Sequence, residues 1–379
     1  MKNHMHNLIK NGSRRSFIKK TSLSIGAATL GLTTSSYAKN FFIPKATKEK
    51  MGIALVGLGY YSTDLLAPAL QETKNVELRG IVTGTPEKEK IWQEKYGIKP
   101  ESTYNYDNFD EIANNDAIDI IYVVLPNSMH HEYTIRAAKA GKHVICEKPM
   151  ALNVKECEEM IAACNDNGVQ LSIGYRMHFE PTTQEIMRIG QEKVYGDVRF
   201  ICAGAGYNES REGHWKTRKH MGGGVMMDMG VYSLQAARYV TGEEPISVSA
   251  QTFTSRPEIF QDADETTTFQ LEFPGGAIAN LHTSFHTNMN YLETSCANGW
   301  FRLNPFSAYR GIKGETKDGP LDYPVINQQA TQMDEVADCI ANDKPLRVTG
   351  EEGLKDMRVV EAIYQSIASG EKVTLAPVN

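Results

Sequence analysis

From residue 51 onward the hydrophobic pattern alternates between short apolar runs and amphipathic stretches. Residues 52–56 form the first run, and Gly57-Leu58-Gly59 then turns the chain into a predicted helix reaching about Lys74. Val76–Val82 predicts a strand and Pro86–Tyr96 a helix. Residues 120–125 are continuously apolar, as expected of a strand buried on both faces of a parallel sheet. Residues 130–140 read as helix, 142–146 as strand and 153–167 as helix. This alternation predicts an α/β domain over 51–171 with a doubly wound parallel sheet, its ligands at the carboxyl ends of the strands. Beyond residue 172 the pattern changes. Strand-like runs at 198–205, 246–254, 266–273 and 277–285, with a hairpin turn at Gly275-Gly276, predict an α+β domain over 172–379 built on a large, mostly antiparallel open sheet. Helices near 331–342 and 351–368 are expected to return to the first domain.

The first forty residues read differently. Arg14-Arg15 precede Phe17-Ile18-Lys19, residues 21–38 carry no charge, and the stretch closes on Ser36-Tyr37-Ala38. A basic region, an uncharged stretch and a small-residue cleavage site make a secretory signal, here of twin-arginine type. The expectation is a signal peptide over 1–38, cleaved near Ala38, an arm over 39–50, and a periplasmic protein exported already folded. The uncharged stretch is rich in Ser, Thr and Gly, weakly apolar for a permanent membrane span.

Composition adds exclusions. In 379 residues, 41% hydrophobic and 23% charged, a net charge of −6 with scattered Lys and Arg argues against nucleic acid as partner. The six cysteines form no CxxC pair or Cys/His cluster, so neither a metal site nor a disulfide framework is expected. His282 and His286 suit a sheet face better than a metal site.

Gly57-Leu58-Gly59-Tyr60-Tyr61-Ser62 fits G-x-G-x-x-G/A with Ser in the last place, directly after a strand and opening a helix. The glycines permit a tight turn and bring backbone amides up to a pyrophosphate, which marks a Rossmann dinucleotide site. At the tip of the second strand, where NAD sites carry a carboxylate, stand Thr83-Gly84-Thr85-Pro86-Glu87-Lys88. A hydroxyl, a glycine turn and a lysine suit a 2′-phosphate, which favours NADP(H), while Glu87 is expected to cap the next helix.

Two further motifs are more specific. Leu125-Pro126-Asn127-Ser128-Met129-His130 follows the buried strand, and Cys146-Glu147-Lys148-Pro149-Met150 ends the next. The Glu-Lys-Pro element, with Gly222-Gly223-Gly224 leading to Asp228 and Tyr232, resembles the glucose–fructose oxidoreductase/inositol dehydrogenase (Gfo/Idh/MocA) family. Tyr at 232, where many members have His, with 175–181 and Arg238-Tyr239, looks like its glucose–fructose and aldose–aldose oxidoreductase branch. The resemblance runs from about Ile53 to Val373 and implies residue assignments. Gly57, Gly59 and Tyr61 match the phosphate loop, Thr83, Gly84 and Lys88 the 2′-phosphate site, and Tyr106 an adenine-side tyrosine. Leu125, Pro126, Asn127, His130, Glu147, Lys148 and Arg176 match residues at the nicotinamide end. Trp215 matches a tryptophan reaching the cofactor from the second domain, followed by Lys216 where relatives usually carry Arg.

The implied activity is oxidation of an aldose to its lactone with tightly bound NADP(H), followed by reduction of a second sugar. A tyrosine flanked by lysine can serve as acid/base, so the roles are Tyr232 as acid/base, Lys148 as its electrostatic partner and Asp228 as ligand to a substrate hydroxyl. Export supports a retained cofactor, since free nicotinamide nucleotides are not expected outside the cytoplasm. The partners expected are sugars, the twin-arginine export machinery and further copies of the chain in a homodimer or homotetramer. Competing readings are an aldose dehydrogenase with exchangeable NAD(P), a glycosidase assisted by bound nicotinamide, and a non-catalytic sugar-binding protein.

Overall fold

The computed structural model describes residues 49–377; the expected signal peptide and nearly all of the expected arm lie outside them. Two sheets organise the chain. The first comprises β1 (Met51–Val56), β2 (Val76–Val82), β3 (Thr103–Tyr104), β4 (Ile120–Val123), β5 (His143–Cys146) and β6 (Leu171–Ile173). Its order is β3-β2-β1-β4-β5-β6 and every pairing is parallel. The order reverses between β1 and β4, which opens a crevice at their carboxyl ends. β4 is buried at all four positions, as its unbroken apolar run requires.

The second sheet has order β14-β13-β12-β11-β7-β10-β9-β8-β15. These strands are β7 (Val198–Gly206), β8 (Ser247–Phe253), β9 (Thr266–Glu272), β10 (Ile278–Ser284), β11 (Met289–Cys296), β12 (Gly299–Leu303), β13 (Gly314–Thr316), β14 (Gly319–Leu321) and β15 (Val373–Thr374). All pairs are antiparallel except β7 with β10. On one face Ile201, Ala203, Ala279 and Leu281 are buried; the opposite face exposes Phe200, Ile278 and Trp300.

Among the described residues eight α-helices accompany the sheets: α1 (Ala67–Ala69), α2 (Pro86–Tyr96), α3 (His130–Lys139), α4 (Val154–Asp166), α5 (Pro181–Gln191), α6 (Val231–Thr241), α7 (Gln328–Ala341) and α8 (Gly350–Ser369). The helix after the phosphate loop is shorter than its pattern suggests. A wide turn over Tyr61–Leu66 runs into α1, and Thr73 stops the chain by donating its hydroxyl to the carbonyls of Leu70 and Val76, both at 2.9 Å. Glu87 lies in the first turn of α2 but makes no capping hydrogen bond, contrary to expectation. The C-terminal helices do return: Met333, Val336 and Ala337 of α7 share a core with Ile53 and Leu55 of β1 and Leu66.

Candidate active site

The phosphate loop is shaped by its glycines. Gly57 has φ +91°, and a Cβ there would overlap the carbonyl oxygen of Val124, so the turn accepts no side chain. At Gly59 a Cβ would meet no protein atom within 4 Å, which leaves the loop open on its outer side. Ser62, in the third glycine's place, donates its hydroxyl to the Gly57 carbonyl at 2.5 Å and holds the turn closed. At the tip of β2, Thr83 accepts from the amide of Thr85 (3.2 Å), and Lys88 reaches across to the carbonyl of Leu58 (2.8 Å). The cation therefore lies over the phosphate loop. Gly84 leaves room for Tyr106, whose ring would come within 2.9 Å of any Cβ there and packs edge-on against Tyr133. An open glycine loop before a helix, with a cation and a hydroxyl at the neighbouring strand tip, fits a nicotinamide dinucleotide.

At the other end of the crevice β4 and β5 deliver their loops. His130 is fully buried, with one ring nitrogen 2.8 Å from the carbonyl of Pro149 and the other 2.9 Å from that of Leu125. Burial holds its pKa down, so the neutral ring donates its single N–H to one of these carbonyls while its other nitrogen faces the second. The ring thus ties the Leu125-Pro126-Asn127 loop to the cis Lys148–Pro149 bond rather than facing a ligand. Asn127 is similarly engaged, donating its amide to the carbonyl of Gly222 at 2.7 Å. Glu147 accepts from the Tyr122 hydroxyl at 2.7 Å, and burial pushes its carboxyl up. Leu125 is buried and Pro126 half-buried beside it.

Lys148, Asp228 and Tyr232 come together between the sheets. The Lys148 ammonium donates to the Asp228 main-chain carbonyl at 2.7 Å, stands 3.5 Å from its carboxylate, and lies 4.7 Å above the Tyr232 ring. Burial alone would lower the pKa of Lys148, but Tyr232, Asp228 and Glu147 hold it above its ordinary value, so the charge persists. Asp228 and Tyr232 do not sit on one regular helix as their spacing suggests. Asp228 lies in a wide turn over Met226–Gly230, and Tyr232 opens α6. Gly224 leads into that turn, and its φ of +114° and closeness to Asp264 exclude a side chain.

The loop between β7 and α6 supplies what local sequence does not reveal. Lys216 donates to the Asp228 carboxylate at 2.7 Å and to the Tyr207 hydroxyl at 3.1 Å, and Tyr207 itself lies 3.1 Å from the same carboxylate oxygen. Burial would raise Asp228, but Lys216 and Lys148 hold it well below the usual carboxylate range. Glu209 braces the loop by accepting from the Arg211 amide at 3.0 Å and its guanidinium at 2.9 Å. Lys216 is accordingly tied to the carboxylate. The Trp215 ring centre lies 5.9 Å from that of His214 and 5.8 Å from the Lys216 ammonium.

Arg176, 2% exposed, spends its guanidinium on the carbonyls of Ser307 (2.6 Å) and Ala308 (3.0 Å) and on the Gln328 side chain. It thereby brings Tyr309 toward Tyr61, with ring centres 6.0 Å apart. Burial raises the Tyr61 pKa well above its ordinary value. Gln328 and Tyr309 lie more than a hundred residues along the chain from Arg176, and no local motif marks them.

The site combines a dinucleotide cradle with a lysine, a carboxylate and a phenol at its nicotinamide end, the makings of a nicotinamide-dependent oxidoreductase. Residues 51–175 match the family described as "Oxidoreductase family, NAD-binding Rossmann fold", and 183–302 and 312–375 match the C-terminal domains of the same group. The chain belongs to the Gfo/Idh/MocA oxidoreductase family. It is similar to the crystal structure of aldose–aldose oxidoreductase from Caulobacter crescentus complexed with glycerol: 41% identity, TM-score 0.84, covering 86% of this chain and 100% of that one. It is also 26% identical over 349 residues to D-xylose 1-dehydrogenase [NADP(+)] of Haloarcula marismortui, spanning 87% of this chain and 94% of that protein. A 3-ketoreductase from Actinomadura kijaniata, solved with NADP, shares the fold at TM-score 0.73 and 23% identity over 84% of this chain and 98% of its own.

Proposed function

We propose that this chain is an exported sugar oxidoreductase that oxidises an aldose to its lactone with retained NADP(H) and returns the reducing equivalents to a second sugar. The convergence of Lys148, Asp228 and Tyr232 at the nicotinamide end of the crevice carries this reading. Bound nicotinamide supplies the two-electron hydride acceptor. Oxidation at the anomeric carbon breaks its C–H bond as hydride and releases the hydroxyl proton, leaving a carbonyl. Tyr232 handles that proton as the acid/base group, Lys148 fixes its electrostatics from above the ring, and Asp228 holds a neighbouring sugar hydroxyl. The sugar-acting relatives in Caulobacter and Haloarcula support the substrate class.

Selectivity for NADP(H) rests on Thr83, Gly84 and Lys88, and the NADP(+) named for the Haloarcula enzyme agrees with it. The twin-arginine pattern at Arg14-Arg15 supports export to the periplasm, and the open apolar face of the second sheet supports a homodimer or homotetramer. The test is the absorbance of purified protein. The expected result is a nicotinamide band that survives gel filtration, rises with an aldose and falls when a second sugar follows. Activity only with added nucleotide points instead to an aldose dehydrogenase with exchangeable cofactor. A protein that neither retains nor binds dinucleotide removes both readings.

A further inference from the structure

The segment linking β12 to β13 is held far more firmly than a surface connection requires. The Asn290 side-chain oxygen on β11 accepts from the amides of Phe306 (2.9 Å) and Ser307 (2.8 Å) and from the Ser307 hydroxyl (3.1 Å). Arg176 donates to the carbonyls of Ser307 and Ala308, and Gln328 at the start of α7 donates to that of Ala308 at 3.0 Å. Phe306 beneath them is fully buried. Three elements outside the segment therefore fix three consecutive residues, and the residue they present is Tyr309.

Its ring is 37% exposed, the Arg176 guanidinium carbon lies 4.5 Å from its centre and 5.5 Å from that of Tyr232, and Tyr61 flanks it at 6.0 Å. Burial and the neighbouring Tyr232 raise its phenol, so it stays neutral and can donate a hydrogen bond. A flat, part-exposed ring clamped beside Arg176 and Tyr61, with Tyr232 and the Asp228 carboxylate near enough to act on its phenol, matches one ligand chemistry. A sugar ring has a C–H face for an aromatic surface and hydroxyls for a carboxylate.

We propose that Tyr309 is a substrate-binding residue, the platform on which the aldose lies opposite Asp228; this rests on the sugar-oxidoreductase reading above. The decisive comparison is single-turnover reduction of the bound nicotinamide by D-glucose and D-xylose in the parent and in Tyr309→Ala, Tyr309→Leu and Tyr309→Phe. Loss of the aromatic surface should raise the half-saturating aldose concentration about tenfold. The plateau rate and the dinucleotide content should stay within about twofold to threefold, because the ring binds ground and transition states alike. Leu, which keeps volume without the flat ring, should follow Ala, and Phe should follow the parent. An unchanged half-saturation in both Ala and Leu variants overturns the assignment, as does loss of dinucleotide, which would make the ring a cover for the cofactor. If the parent reduces no nicotinamide, the functional reading fails, and calorimetric titration of the same aldoses decides the platform by itself. Weaker binding in Ala and Leu keeps it; equal binding, or none in the parent, removes it.

Discussion

Lys148 and Lys216 hold Asp228 through different oxygens, and their contacts separate orientation from charge. Lys148 spends its shortest hydrogen bond on the main chain of Asp228, Lys216 on its carboxylate. Lys216→Met should therefore leave Lys148 in place and release the carboxylate upward toward its ordinary range. The sign follows: a carboxylate with depressed pKa stays ionised to lower pH, so removing the cation makes activity fail earlier on acidification. A pH–rate profile whose acid limb moves to higher pH is the expected result, with Lys216→Arg restoring it. Tyr232→Phe should slow nicotinamide reduction by about 10²–10⁴-fold with cofactor still bound, and Lys148→Ala added to it should cost little more. Single-turnover kinetics checks both. Lys148, Asp228 and Tyr232 were legible in the sequence because each stands in a short motif. Tyr207, Glu209 and Tyr309 were not, because the contacts that make them matter come from distant parts of the chain.

Among the elements, the two glycines of the phosphate loop do different jobs. Gly57→Ala forces a Cβ against the Val124 carbonyl and should lower Tm and abolish dinucleotide binding together. Gly59→Ala meets no protein atom, so Tm should hold while dinucleotide affinity falls, as read by thermal melts and titration with NADP. Behind the site, Arg238 of α6 pairs with Asp356 of α8 at 2.5 Å and with Glu244 at 2.7 Å and Glu352 at 2.8 Å, joining the helix that carries Tyr232 to the returning one. Burial pushes Asp356 up to about 6, with Arg238 opposing it. Arg238→Leu should cost about 3–5 kcal/mol near neutral pH, the usual result of stranding a buried charge. The loss should shrink as pH falls toward 6, because without Arg238 the Asp356 carboxyl takes up its proton at higher pH than in the parent; denaturant melts at two pH values test this. β1, β4 and β5 were readable because burial leaves nearly unbroken apolar runs, whereas β3 and β6, two and three residues long, were missed. β11 and β12 were missed: Met289-Asn290-Tyr291-Leu292-Glu293 mixes polar and apolar residues with no clean period. The start of α7 was missed because buried Gln328, Gln329 and Gln332 stand where an apolar face is expected.

For the molecule as a whole, the open sheet face is the surface most suited to self-association. Trp300→Glu with Phe200→Glu should lower the mass measured by light scattering to that of one chain, while the bound nicotinamide stays in place. Arg14→Lys with Arg15→Lys should leave active protein in the cytoplasm, as fractionation would report. The return of α7 has a further consequence, for the order of events during synthesis. Its Met333, Val336 and Ala337 complete the core around Ile53 and Leu55, so the strand that begins the nucleotide half is not fully covered until α7 leaves the ribosome. A chain ending near residue 175 should accumulate as insoluble aggregate even though it contains the whole phosphate loop. On the proposed reading, cofactor loading waits for α7, and an export route that accepts only folded cargo would pass only chains in which that helix has been made.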